Sequence, residues 1–146
     1  MIREATAADR EAIEAIVEAA YAGYVPRIGR RPGPMDEDYG AILDRGDVWV
    51  AERDGAVVGL LVLVAEPDGL LIENVAVDPG RQGDGIGRAL LTHAEDEARA
   101  RGLDKMRLYT HEKMAENRAF YARFGYREIN RSSRSGFPRV HMDKHL

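Results

Sequence analysis

The stretch "DPGRQGDGIGRALL", Asp78 to Leu91, sets Gly83, Gly85 and Gly87 between Arg81 and Arg88. An apolar run, "LLIENVAV", comes before it and an amphipathic segment after it, so the glycines fall between a strand and the start of a helix. The first backbone N–H groups of a helix lack internal partners and sit at the positive end of its dipole, which makes such a junction an anion site. A side chain there would hold a phosphate away from the amides, and glycine lets it approach. With Arg81 and Arg88 alongside, the stretch reads as a diphosphate cradle. On the glycines alone, a merely flexible turn remains an equal alternative. Neither common nucleotide motif fits: Gly-Lys-Ser/Thr is missing, and counting from Gly85 the sixth position of Gly-x-Gly-x-x-Gly/Ala is Leu90.

The elements that must position this stretch follow from local pattern. A short strand at Ile2–Glu4 leads into a helix from about Thr6, where Thr6 and Asp9 have capping-box spacing, with Ile13, Ile16, Val17 and Ala20 on its buried face. The segment "YAGYVPRIGRRPGPMDEDY" carries three prolines and three glycines and is expected to have no regular structure. A short helix near Asp38–Asp44 comes next. Apolar β-branched runs flank Asp54-Gly55, and Asp68-Gly69 opens a further strand, giving a three-stranded antiparallel meander. Ile86, Ala89, Leu90, Ala94 and Ala98 then repeat at helical spacing from about Gly85 to Arg101, with Gly102 at the C-cap. "LDKMRLYT" is a strand, "ENRAFYARF" a short helix, and "YREINR" and "RVHMDKH" two last strands joined by a loop at about Ser132–Gly136. The order predicts a mixed α/β sheet rather than strict βαβ alternation.

Composition narrows the function classes. A chain of 146 residues, 45% hydrophobic and 32% charged, suits a single domain over 1–146. A formal net charge of -4 gives no steering toward nucleic acid or an anionic membrane. With no cysteine there is neither a disulfide nor a thiol nucleophile. His93, His111, His141 and His145 show no metal-ligand spacing, so no metal is expected. The start has no apolar leader and no stretch is long enough for a membrane span, so the expected location is cytoplasmic. Apolar residues in the last strands allow a homodimer.

These residues add up to a resemblance. Gln82-Gly83-Asp84-Gly85-Ile86-Gly87 fits the Gln/Arg-x-x-Gly-x-Gly/Ala signature of the GCN5-related N-acetyltransferase (GNAT) family. "IENVAVDP" is similar to that family's fourth strand. "ENRAFYARFGY" is similar to its later region, in which an asparagine precedes Tyr/Phe-x-x-x-Gly-Phe/Tyr, here from Asn117 to Gly125-Tyr126. The resemblance implies a mixed, mostly antiparallel sheet of six to seven strands flanked by about four helices and splayed between strands 4 and 5, with acetyl-coenzyme A in the gap. It implies that the cradle from Arg81 through Gln82, Gly83, Asp84, Gly85, Ile86 and Gly87 to Arg88 takes the pyrophosphate. By the same resemblance, the amides of Val75 and Val77 pair with the pantetheine arm and polarise the thioester carbonyl, and Asn117 makes a polar contact on the pantetheine side.

Acetyl transfer to an amine requires a base, since a lysine-like amine with a pKa of about 10.4 is mostly protonated at pH 7. Glu73 is the expected base, because desolvation within "LLIENVAV" raises a carboxyl toward the working range; His111, at the end of the "RLYT" strand, ranks second. Tyr121, four residues after Asn117 and so on the same helix face, matches the family's acid for the departing thiolate. Arg27, Arg30 and Arg31 lie on the loop that walls the acceptor pocket in this family and are candidates for an anionic group on a small amine; a solvated basic loop is the competing view. The expected function is direct acetyl transfer to a primary amine of a small molecule or a peptide. The alternative is a non-catalytic acyl-coenzyme A sensor, which needs neither Glu73 nor Tyr121.

Overall fold

The computed structural model describes residues 1–134 and 136–146. Strand β1 (Ile2–Glu4) enters a 3₁₀ turn at Ala7–Asp9 and helix α1 (Arg10–Tyr21). The Asp9 carboxylate accepts the Thr6 N–H at 2.8 Å, as the capping-box spacing predicts, and binds both terminal nitrogens of Arg3 at 2.9 Å. The segment expected to be irregular is a chain of single helical turns: Ala22–Tyr24, the four-residue α2 (Val25–Ile28) and Gly33–Asp36. Pro26 and Pro34 fall in first-turn positions, where a missing N–H costs nothing, and Gly29 closes α2 at φ 87°. Helix α3 (Tyr39–Arg45) is capped by the Asp38 carboxylate.

Strands β2 (Val48–Arg53), β3 (Ala56–Glu66) and β4 (Gly69–Val77) form the expected meander. Asp54 and Gly55 take φ of 54° and 78°, the left-handed pair that a two-residue hairpin turn needs. Helix α4 (Ile86–Ala100), β5 (Lys105–His111), α5 (Ala115–Arg123), β6 (Arg127–Arg134) and β7 (Phe137–His145) complete the chain. The last hairpin is tighter than expected, since Ser132, Ser133 and Arg134 belong to β6; Ser135 lies outside the described residues. The seven strands run in the order β1-β2-β3-β4-β5-β7-β6.

All neighbours are antiparallel except β4 and β5, which pair in parallel only from Leu70–Ile72 to Met106–Leu108. Beyond Ile72 the two strands part, and the sheet opens. One core packs α4 and α5 on one face through Leu61, Leu63, Leu90, Leu91, Met106 and Leu108. The other packs α1 and α3 on the opposite face through Ile13, Val17, Ile42, Val50, Leu60 and Val62. Of the apolar residues of the last strands, Val140 and Met142 are spent in the first core, while Ile129 stays exposed on β6, which is exposed along its whole length.

Candidate active site

The register of β4 against β3 explains where Glu73 points. Val62 pairs with Asn74 and Leu63 with Ile72, so Glu73 is the extra residue of a β-bulge. Before it, Leu70 and Ile72 face α4; after it, Val75 and Val77 do. The bulge thus reverses the alternation and turns Glu73 and Asn74 toward the α1 and α3 face together. Burial pushes the Glu73 carboxyl above its ordinary value, the Arg45 guanidinium pulls it back, and Glu37 adds to the rise.

The bulge also sets the free edge of β4. Asp78 N–H donates to Val58 O at 2.8 Å, so by strand alternation the Val75 and Val77 N–H groups turn the other way, into the gap that β5 has left. Below that gap lies the glycine stretch. Gly83 and Gly85 have φ of 92° and 78°, and a Cβ on either would meet nothing within 4 Å. Gly87 differs: a Cβ there would stand 3.2 Å from Phe120 Cζ, so its missing side chain admits α5 rather than an anion. The first bond of α4 runs from Ala89 N–H to Gly85 O, at 3.0 Å. Among the described residues the N–H groups of Gln82, Gly83, Gly85, Ile86, Gly87 and Arg88 have no acceptor, which leaves a ring of donors flanked by two guanidiniums. They line a cavity of about 510 Å³ with Val75, Val77, Arg81 and Asn117; Asp84 lies outside its wall.

A second cavity of about 250 Å³ opens on the α1 face, with Glu37, Glu73, Asn74, Tyr109 and His111 in its wall. Tyr21, Val75, Asn117 and Tyr121 line both cavities, so the two meet at these side chains. Tyr121 is 7% exposed, its hydroxyl has no hydrogen-bond partner among the described residues, and burial holds it protonated well above the usual tyrosine range. His111, in the wall of the smaller cavity, has its Nδ1 engaged. The Lys113 N–H donates to its Nδ1 at 3.0 Å, so the neutral ring carries its proton on Nε2 and offers no free lone pair; burial keeps it neutral.

Sequence pattern did not single out Asn74, yet it is 6% exposed and central. Tyr21 Oη donates to its Oδ1 at 2.7 Å, its Nδ2 donates to Tyr39 Oη at 3.1 Å, and Tyr39 Oη donates to Pro34 O at 2.6 Å. This chain ties the turn at Gly33–Asp36 to β4. The only local sign was a lone amide in an apolar strand.

The arginines of the same segment lie elsewhere. Arg27 holds Glu116 at 2.9 Å, and Arg31 holds Glu18 at 3.0 Å and Asp36 at 2.8 Å, all on the surface. Arg30 stacks on Phe137, 3.7 Å from the ring centroid. The arginines that line the smaller cavity are Arg134 and Arg139. Among the described residues no group of three or more His, Cys, Asp or Glu is placed to hold a metal, and no described helix is long and apolar enough to cross a membrane.

Known proteins are similar to this chain in sequence and in fold. Mycothiol acetyltransferase of Beutenbergia cavernae is 35% identical over 103 residues, covering 70% of this chain and 30% of that protein. IAA acetyltransferase of Azospirillum brasilense is 38% identical over 79 residues, covering 53% of this chain and 52% of the other. The chain thus matches under a third of the first relative and about half of the second. Among solved structures, the ribosomal-protein-S18-alanine N-acetyltransferase of Escherichia coli superposes with a TM-score of 0.79 at 22% identity, over 100% of this chain and 93% of that one. The PaiA N-acetyltransferase of Thermoplasma acidophilum, in complex with coenzyme A, gives 0.77 at 19%, over 100% and 98%. At these identities the two structures speak for the fold. The profile of the acetyltransferase (GNAT) family matches residues 11–126, from the first turn of α1 to the residue just before β6, and on that match the chain belongs to the acetyltransferase (GNAT) family.

Proposed function

We propose that this protein transfers an acetyl group directly from acetyl-coenzyme A to a primary amine. The observation that carries the proposal is the meeting of the two cavities at Tyr21, Val75, Asn117 and Tyr121, with unpaired amides on one side and Glu73 on the other. The larger cavity fits the coenzyme: the open positive-φ glycines and the free N–H groups from Gln82 to Arg88 suit a pyrophosphate, and Arg81 and Arg88 add charge. The free edge of β4 suits the amide-bearing arm. When bound, the coenzyme supplies an activated thioester at the junction.

The chain's own residues account for the rest of the chemistry. The Val75 N–H, turned into the gap, stabilises negative charge that develops on the carbonyl oxygen. Glu73, as carboxylate, removes a proton from the acceptor ammonium, directly or through water, so that the neutral amine attacks. Tyr121, held protonated by burial, donates to the departing sulfur; a thiolate with a pKa of about 8.5 is already a fair leaving group, so this step asks less of the protein than positioning does. With no cysteine in the chain, a thiol-borne acetyl intermediate is ruled out and transfer within one ternary complex is the economical route. The size of the smaller cavity favours a small-molecule acceptor.

The test is release of free thiol from acetyl-coenzyme A across a panel of primary amines, with coenzyme binding followed by calorimetry. Turnover with one or more amines is expected. Tight coenzyme binding with no turnover would overturn the enzyme in favour of an acyl-coenzyme A sensor, and absence of binding would overturn the cradle itself.

A further inference from the structure

From the smaller cavity we infer that the acceptor carries an anionic group at the end remote from its amine, held by Arg134 and Arg139. The inference rests on the acetyl-transfer reading for the amine, and on different residues for the anion. His111 on β5 stands opposite Arg139 on β7, and Arg134 on β6 opposite Phe137, so in register these side chains share one face of the splayed half-sheet. That face is the floor of the cavity.

The charges on it are not equivalent. Arg107, Arg127 and Arg131, on the same three strands, are held by Glu66, Asp143 and Glu128 at 2.8, 3.2 and 2.7 Å. Arg134 and Arg139 have no ion-pair partner among the described residues, and they are the two of the five that line the cavity. Arg139 lies over the Tyr109 ring at 4.1 Å, and Arg30 lies over Phe137 at the rim. Stacking uses the flat face of a guanidinium and leaves its N–H edge to bind a planar anion.

The opposite wall is acidic, with Glu73 and Glu37 from β4 and the turn before α3. The cavity is therefore polarised, negative where an ammonium must dock and positive on β6 and β7. Two strand spacings separate β4 from β7, roughly 10 Å of backbone before the splay is added. An α-amino acid, whose two charges are adjacent, spans that poorly. A short amine with a terminal carboxylate or phosphonate spans it well, and a flat or aliphatic body would lie between Tyr109, Tyr39 and Phe137.

The probes are γ-aminobutyrate, ε-aminohexanoate and para-(aminomethyl)benzoate, each beside its primary amide, with aminopropylphosphonate to separate phosphorus anions from carboxylates. Binding is read by calorimetry with coenzyme A present, and turnover by thiol release, for the wild type, Arg134→Gln and Arg139→Gln. For the best pair the carboxylate should exceed its amide on the order of tenfold or more, the worth of a charge-assisted hydrogen bond. In both variants that ratio should fall toward one through loss of the carboxylate's advantage, with coenzyme affinity unchanged. A ratio near one in the wild type for every pair, or variants that weaken acid and amide alike, would overturn the inference. If the coenzyme binds and no amine turns over, the transfer reading fails on its own. The anion site then stands or falls on the binding ratio.

Discussion

Arg45 Nη1 lies 3.8 Å from Glu73 Oε2, with the two side chains 44% and 24% exposed. Burial and this guanidinium act on the carboxyl in opposite directions, and burial is the larger. The proton-accepting form is the carboxylate, so activity should disappear as pH falls through the raised Glu73 value. Arg45→Met removes the pull downward, and the acidic limb of kcat/KM should move to higher pH. A pH–rate profile of the two proteins checks this; a limb that stays in place would assign it to another group.

Glu73→Gln should lower kcat by about 10²–10⁴ while coenzyme affinity is kept. Its effect on stability has the opposite sign. A carboxyl whose folded value is raised costs the fold its ionisation; that penalty is absent below the unfolded value and complete above the folded one. At neutral pH the neutral isostere should therefore melt no lower than the wild type, a combination that a misfolded variant would not give.

Tyr121→Phe removes a hydroxyl that no described residue bonds, so thermal stability should change little. The expected loss in kcat is on the order of tenfold, with acceptor KM unchanged, because the thiolate is an adequate leaving group without help. A panel of acyl thioesters with more acidic thiols should show the deficit shrinking.

Gly85 and Gly87 should separate. Gly85→Ala meets open space but forces an L side chain into φ 78°, costing about 1–2 kcal/mol or rearranging the cradle. Gly87→Val drives into Phe120 and displaces α5. Calorimetry with coenzyme A should show weakened binding for the first with Asn117 and Tyr121 in place. The second should depress kcat as well, through Tyr121 on the same helix.

Asn74→Ala leaves the buried Tyr21 hydroxyl without its acceptor and Tyr39 without a donor. A loss of about 1–3 kcal/mol is expected from denaturant midpoints, together with a raised acceptor KM as the turn at Pro34 loosens.

Much of this architecture is written locally. Hairpin turns at Asp54-Gly55 and Pro67-Asp68, the amphipathic α4 and its left-handed Gly102 depend on neighbours within a few residues, and the chain carries them in its order. So does the glycine cradle, whose donors belong to one strand-to-helix junction. "LLIENVAV", by contrast, reads as an unbroken apolar strand. The bulge that turns Glu73 and Asn74 to one face exists only because β3 spans one residue fewer across the same stretch. Asn74 finds its partners 53 and 35 residues away, and Arg134 and Arg139 reach the cavity because β5 leaves β4 and carries β7 and β6 with it. Arg27 and Arg31, close in sequence to the acceptor turn, spend their charge on Glu116, Glu18 and Asp36 instead. The sequence by itself determined most element types, the turns of the 22–36 segment excepted, and the run of free amides ahead of α4, since backbone geometry there is set by adjacent residues. Which charges line the smaller cavity was decided by the splay and the bulge, because both are properties of strand pairing between distant segments, and no spacing along the chain encodes them.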